Sequence, residues 1–92
     1  MKGETTVRQA AEAAGQVLYG QAVILLPVRG ERLVLNASAT LLWTVMAAPV
    51  GPAALAAHLQ THYGVSERRA LTDTHAFLDA LHAAGAIEGW SA

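Results

Sequence analysis

The sequence predicts an α+β domain of winged-helix proportions: an N-terminal antiparallel β-hairpin or three-stranded sheet, followed by three helices. Three observations carry this. The chain has 92 residues, enough for one core but too few for two. Its first half holds β-rich runs, Val17-Leu18-Tyr19, Ala22 to Val28 and Arg32 to Leu35, punctuated by Gly20 and Arg29-Gly30-Glu31. From Ala39 onward the apolar residues recur at helical spacing and are mostly alanine and leucine, which favour helix.

The elements follow in order. Residues 1–15 are poorly defined: Val7-Arg8-Gln9 could begin a strand, Ala10 to Ala14 leans to helix, and Gly15 ends either. The domain proper spans 16–92. Gly20 separates two β runs, and Pro27, which cannot donate to a ladder, belongs at an edge or strand end. Arg29-Gly30-Glu31 makes a short turn, closing a hairpin over Ala22 to Leu35. In the returning strand Leu33 and Leu35 share one face and Arg32 and Val34 the other.

Helices are expected near 37–48, 53–63 and 67–84. Asn36 can cap the first through its side-chain oxygen. Ala39, Leu42, Trp43 and Met46 form one stripe along it, and Pro49 and Gly51 stop it. Pro52 suits the first turn of the second helix, where Leu55, Leu59 and Tyr63 lie on one side and Gly64 closes. Ser66 with Glu67 to Arg69 opens the third, with Leu71, Phe77, Leu78, Leu81 and Ala84 toward the core. Gly85 ends that helix, and Ala86-Ile87 folds back.

Composition excludes several function classes. The formal net charge is −1, which argues against nonspecific nucleic-acid binding, where phosphates demand clustered Lys and Arg. The chain has no cysteine, so it forms no disulfide, holds no iron–sulfur cluster and carries no thiol nucleophile. Lys2 is followed by polar Gly3-Glu4-Thr5-Thr6 rather than an apolar export segment, so the cytoplasm is the expected compartment. No charged residue stands between Arg32 and Glu67, a run long enough to raise a membrane reading. Asn36, Pro49-Val50-Gly51-Pro52, His58, Gln60 and His62 break it into two short helices, and no membrane span is expected.

The ordered set of these pieces is similar to the PqqD-like family over about residues 16–88. Ala22-Val23-Ile24-Leu25-Leu26, Arg29-Gly30-Glu31 and Leu35-Asn36 resemble its hairpin. Ala39 with Leu42-Trp43 resembles its first helix, and Leu55, Leu59 and Tyr63 its second. Asp73, Phe77-Leu78, Leu81 and Gly85, followed by Ile87, resemble its third. The chain departs from the family at Arg32 or Leu33, where many relatives have an aromatic residue, and at Leu26 or Pro27, where an Asp is usual.

The resemblance implies a function without chemistry. Members bind the leader segment of a ribosomally synthesised precursor peptide and present it to a modifying enzyme. One branch serves pyrroloquinoline quinone biosynthesis with a radical SAM enzyme; another serves lasso-peptide biosynthesis with a leader peptidase. Binding is by β-augmentation, in which an extended peptide completes an exposed sheet edge. The implied cleft lies between the third strand and third helix. Here that means Arg32, Leu33, Val34 and Leu35 on the strand and Arg68, Arg69, Thr72, Asp73 and Ala76 on the helix.

Each of these residues also has a plainer role. Leu33 and Leu35 read as core, and Trp43 does too. Arg32 and Val34 point the other way, though an edge strand binds chiefly through its backbone. Arg68 and Arg69 form a solvated pair or attract an acidic leader; cations at a helix N-terminus oppose the macrodipole, which favours a functional reason. Asp73 stands four residues after Arg69 and can orient it or hydrogen-bond a peptide. His58 and His62 at i, i+4, and His75 and His82 two turns apart, have a spacing that can hold zinc. Neither pair has a third ligand, and no Glu follows His58 in the metalloprotease pattern. Solvent-facing histidines account for them, and no metal or cofactor is expected.

No nucleophile–base pair or phosphate loop marks an enzyme. A winged-helix DNA-binding regulator is the alternative. Its recognition helix would carry Arg68 and Arg69, with Asp73 and Asp79 beside them. An exposed strand edge also permits a homodimer.

Overall fold

The computed structural model describes residues 5–26 and 30–90. It contains β1 (Arg8–Gln9), β2 (Ala14–Leu18), β3 (Gln21–Leu26), β4 (Glu31–Val34), α1 (Ala37–Val45), α2 (Pro52–Tyr63), α3 (Glu67–Ala84) and β5 (Ile87–Glu88). The expected α+β order is present, with the sheet in its three-stranded form, β2-β3-β4, all antiparallel. Pro27, Val28 and Arg29 of the second turn lie outside the described residues.

The first hairpin closes tightly. Leu18 pairs with Gln21, leaving Tyr19 and Gly20 as a two-residue loop with φ of 53° and 79°. Positive φ at both positions is what a type I′ turn requires, and its twist matches that of the flanking strands. Glycine adopts it freely; tyrosine does not.

In β3 the residues alternate cleanly. Ala22, Ile24 and Leu26 are buried, while Gln21, Val23 and Leu25 face the other side. The buried set shares one core with Leu42, Trp43 and Met46 of α1, Leu55, Ala56 and Leu59 of α2, and Ala70, Leu78 and Leu81 of α3. The uncharged stretch after Arg32 thus supplies much of the core, and among the described residues no helix is long and apolar enough to cross a membrane. Trp43 is 3% exposed, as its place on the α1 stripe predicts.

One buried hydroxyl ties sheet to helix. Thr40 Oγ1 accepts from the Ala22 amide at 2.8 Å and donates to the Leu35 carbonyl at 3.3 Å. It sits between two backbone groups that would otherwise pair directly, so both are satisfied without water.

The caps agree with the sequence. Asn36 accepts from the Ala39 amide, Ser66 accepts from the Arg69 amide, and Pro52 opens α2. Gly85 takes the left-handed conformation that ends α3.

Two expectations need correction. The first helix, expected to reach 48, ends at Val45. Pro49 disfavours helix in the residue before it, and Val50 is drawn out to exchange hydrogen bonds with Val7 (2.8 and 3.0 Å). The freed helix end is capped by Gln9. Its amide donates to the Met46 carbonyl at 3.0 Å, and its side-chain Nε2 donates to the Trp43 carbonyl at 2.8 Å.

The second correction concerns Ala10 to Ala14, which leans to helix by composition. It forms a turn and the first residue of β2 instead. Alanine propensity is a weak preference, and pairing outweighs it. Before that turn, β1 pairs with β5 through Arg8↔Glu88 and Gln9↔Ile87. Val7 is fully buried, so the segment is anchored to the core.

Candidate functional site

Hydrogen-bond parity along the sheet decides which backbone groups face outward. The Leu35 amide donates to the Ala22 carbonyl at 2.8 Å, which turns Leu35, Leu33 and Glu31 toward β3 in the observed register. Because paired and unpaired positions alternate in an antiparallel ladder, the N–H and C=O groups of Arg32 and Val34 point away from the sheet. Strand β4 lies at the sheet edge, so these groups are open among the described residues.

The side chains divide as the sequence predicts. Leu33 packs partly buried against the core, and Leu35 is 9% exposed. Val34 is 61% exposed and lies beside Val23, while Arg32 lies beside Leu25. Leu35 thus spends both its side chain and its amide on the fold itself.

Where β4 runs into α1, a groove of about 580 Å³ opens. The start of α1, from Asn36 to Ala39, forms one wall; Leu42 and Leu59 form the floor; Tyr63 and Val65 close one end; Asp73 and Phe77 of α3 form the opposite wall. Its lining is mainly apolar, with polar groups at the rim. Asn36 Oδ1 is engaged as the helix cap, accepting from the Ala39 amide at 2.9 Å and from Ser38 Oγ at 3.2 Å. No acidic residue occupies the first turn of α1, so the helix end contributes a partial positive charge at the groove mouth.

On α3, Arg69, Thr72, Asp73 and Ala76 recur at i, i+3, i+4 and i+7, and all are exposed. They form one solvent-facing stripe, with exposed Arg68 beside it. Arg69 Nε donates to Asp73 Oδ2 at 3.1 Å, the i, i+4 pairing the sequence suggests. Of the residues expected on α3, Asp73 alone lines the groove.

Sequence reasoning missed the groove's apolar walls. Tyr63 lies on the same side of α2 as Leu55 and Leu59, yet unlike those two it is 49% exposed. Its position immediately before the Gly64 cap was the available signal, since a last-turn side chain overhangs the helix end. Phe77 is only partly buried and turns one side to the groove.

The histidines do not converge. His62 Nδ1 lies 3.0 Å from the His58 carbonyl of its own helix, and His75 packs edge-on against Trp90 with ring centroids 5.2 Å apart. Among the described residues no three His, Asp or Glu side chains are grouped to hold a metal ion.

Comparison with known proteins adds the following. No curated protein sequence matches the chain. Solved structures that share its fold include the following two. One is TbiB1 in complex with the TbiA(beta) leader peptide, with a TM-score of 0.86 at 19% identity, covering 92% of this chain and 99% of that one. The other is a lasso peptide synthetase B1 complexed with the leader peptide, with a TM-score of 0.78 at 26% identity, covering 88% of this chain and 95% of that one. The family model for coenzyme PQQ synthesis protein D (PqqD) matches residues 21–87, from the first residue of β3 to the first of β5. With two of the three sheet strands, all three helices and the groove inside that span, the chain belongs to the PqqD family.

Proposed function

We propose that this protein binds the leader segment of a ribosomally synthesised precursor peptide by strand addition at β4 and presents it to a modifying enzyme. The observation that carries this reading is an open strand edge beside an apolar groove, with the outward backbone of Arg32 and Val34 next to the walls of Asn36 to Ala39, Tyr63 and Phe77. A lasso peptide synthetase B1 of the same fold, complexed with a leader peptide, supports it.

The physical division of labour is simple. An added strand exchanges main-chain hydrogen bonds with Arg32 and Val34, which gives affinity whatever its sequence. Its side chains alternate in direction. Those turned inward meet the groove, where an apolar or aromatic anchor fits against Leu42, Leu59 and Phe77. Leu33 and Leu35 hold the edge strand on the core. Arg68, Arg69, Thr72, Asp73 and Ala76 offer polar and small contacts along the exposed face of α3, and the two arginines favour an acidic leader.

The recognition unit is 16–92, with Val7 to Ala10 docked on it. The protein supplies binding without catalysis, needs no cofactor, and hands its cargo to a radical SAM enzyme, a cyclase or a leader peptidase in the cytoplasm. The DNA-binding alternative gains nothing from the electrostatics. One of the two basic residues opening α3 is already paired with Asp73, and duplex binding draws on many free cations.

The test is titration of a fluorescently labelled leader, taken from the precursor encoded with this chain, against Val34→Pro. Proline removes the outward amide, so binding is expected to be lost while circular dichroism stays unchanged. A folded Val34→Pro protein that binds normally would refute strand addition at β4.

A further inference from the structure

Among the described residues the opposite edge of the sheet is also open, and it differs in kind. By the same parity that exposes Arg32 and Val34, Val23 and Leu25 of β3 bond toward β2, so Gly15 and Val17 direct their backbone N–H and C=O groups outward. No charged residue occurs between Glu12 and Arg29. Strand β2 is therefore an edge without the charges, prolines or bulges that proteins use to block edge pairing. The β4 edge, by contrast, carries Glu31 and Arg32.

Exposed apolar side chains concentrate here. Among the described residues six large hydrophobic side chains are exposed, and four of them, Val17 (53%), Leu18 (46%), Tyr19 (103%) and Leu25 (49%), lie on β2, its turn or the strand beside it. The other two, Val34 and Tyr63, belong to the peptide site. Tyr19 also holds a left-handed φ of 53°, a conformation costly for a bulky residue. A strained aromatic ring fully in solvent has no role in the isolated fold.

We propose that β2 pairs antiparallel with β2 of a second copy, about a two-fold axis through Gln16, forming a continuous six-stranded sheet. The occupant follows from the sequence of the strand itself. Residues 13–15 are Ala-Ala-Gly and residues 17–19 are Val-Leu-Tyr, with Gln16 between them. Antiparallel self-pairing about Gln16 sets Val17 opposite Gly15 of the partner subunit, Leu18 opposite Ala14 of the partner subunit and Tyr19 opposite Ala13 of the partner subunit. Each large side chain meets a small one, as an isologous interface requires. Gly15 and Val17, the two residues with outward backbone, are the ones that exchange hydrogen bonds in this register. An uncharged edge and a net charge of −1 leave little repulsion between copies.

The arrangement leaves both β4 edges at the far ends of the joined sheet, so each copy keeps its groove. It goes beyond the peptide-binding reading and stands or falls separately from it.

The absence of cysteine gives a direct test. The Gln16→Cys chain places one thiol at the two-fold axis, in a non-hydrogen-bonded pair with Cα atoms about 4.5 Å apart, within the range a disulfide spans. Mild oxidation is expected to link it rapidly into a dimer, whereas Ala53→Cys, exposed on α2, stays largely unlinked. In sedimentation velocity, the unmodified chain is expected to move from monomer to dimer with rising concentration. Val17→Lys, which places a charge on the edge, is expected to remain monomeric and folded, with leader binding unchanged. A chain monomeric at all concentrations, a dimer indifferent to Val17→Lys, or Gln16→Cys linking no faster than Ala53→Cys would each overturn the proposal. Loss of the dimer with Val34→Pro instead would place it at the other edge and equally overturn it.

Discussion

Trp43 shows how one side chain can organise a small core. It is 3% exposed, and its ring lies against Gly15, where an added Cβ would come within 2.5 Å of its Nε1. The strand can cross the ring closely because position 15 has no side chain. Replacing Trp43 with Ala is expected to destabilise the fold by roughly 3–5 kcal/mol through lost burial and an unfilled cavity. A thermal melt unchanged by that substitution would remove Trp43 from the core. Thr74 is the opposite case. It is fully buried in α3, and its hydroxyl has no hydrogen-bond partner among the described residues. A buried unsatisfied group carries a desolvation cost, and valine has the same shape and a similar helix propensity. Thr74→Val is therefore expected to raise stability by about 1 kcal/mol, read as a higher midpoint in urea.

Among the elements, β4 and β2 are edges of one sheet with different characters. Strand β4 offers Arg32 and Val34 outward, and the backbone does most of the binding in the proposed mode. Arg32→Ala is accordingly expected to weaken leader binding far less than Val34→Pro, by under about 1 kcal/mol, since an exposed ion pair contributes little. Equal losses in the two variants, measured by fluorescence anisotropy, would shift the weight from main chain to side chain. The short pair β1–β5 has a structural task. Together with the Arg8–Glu88 ion pair at 3.2 Å, it holds the start of the described chain against its end. The two hydrogen bonds that Gln9 donates reach the Met46 carbonyl just past the end of α1 and the Trp43 carbonyl in its last turn, so they tie this segment to the helix end.

For the whole molecule, charge is scarce and placed at the periphery. Arg68 and Arg69 open α3 and lie exposed beside the groove wall formed by Asp73 and Phe77. Reversing both to Glu is expected to weaken an acidic leader and to flatten the salt dependence of what binding remains. Titrations at low and high ionic strength check this, and an unchanged salt slope would exclude the pair from recognition. The reversed residues suit the helix dipole better but set Glu against Asp73 in place of the Arg69–Asp73 ion pair, so circular dichroism of the variant checks that α3 persists.

The sequence by itself determined the elements that depend on local rules. Asn36, Ser66, Pro52 and Gly85 mark helix ends because capping and φ preferences act within a few residues. The stripes of Leu42, Trp43 and Met46 and of Leu78 and Leu81 follow from helical periodicity alone. The alternation in β4 likewise separated Leu33 and Leu35 from Arg32 and Val34. What tertiary structure decided were the features built from distant residues. The early end of α1 depends on Val7 bridging Val50, and the strand character of Arg8–Gln9 depends on Ile87 and Glu88. The partners, some forty to eighty residues away, cannot be seen in a local window, although the local sequence does allow Val7-Arg8-Gln9 to begin a strand. The groove was hidden for the same reason. Its walls come from α1, α2 and α3, and Tyr63 and Phe77, spaced like core residues, line a cleft only because these three helices meet around it.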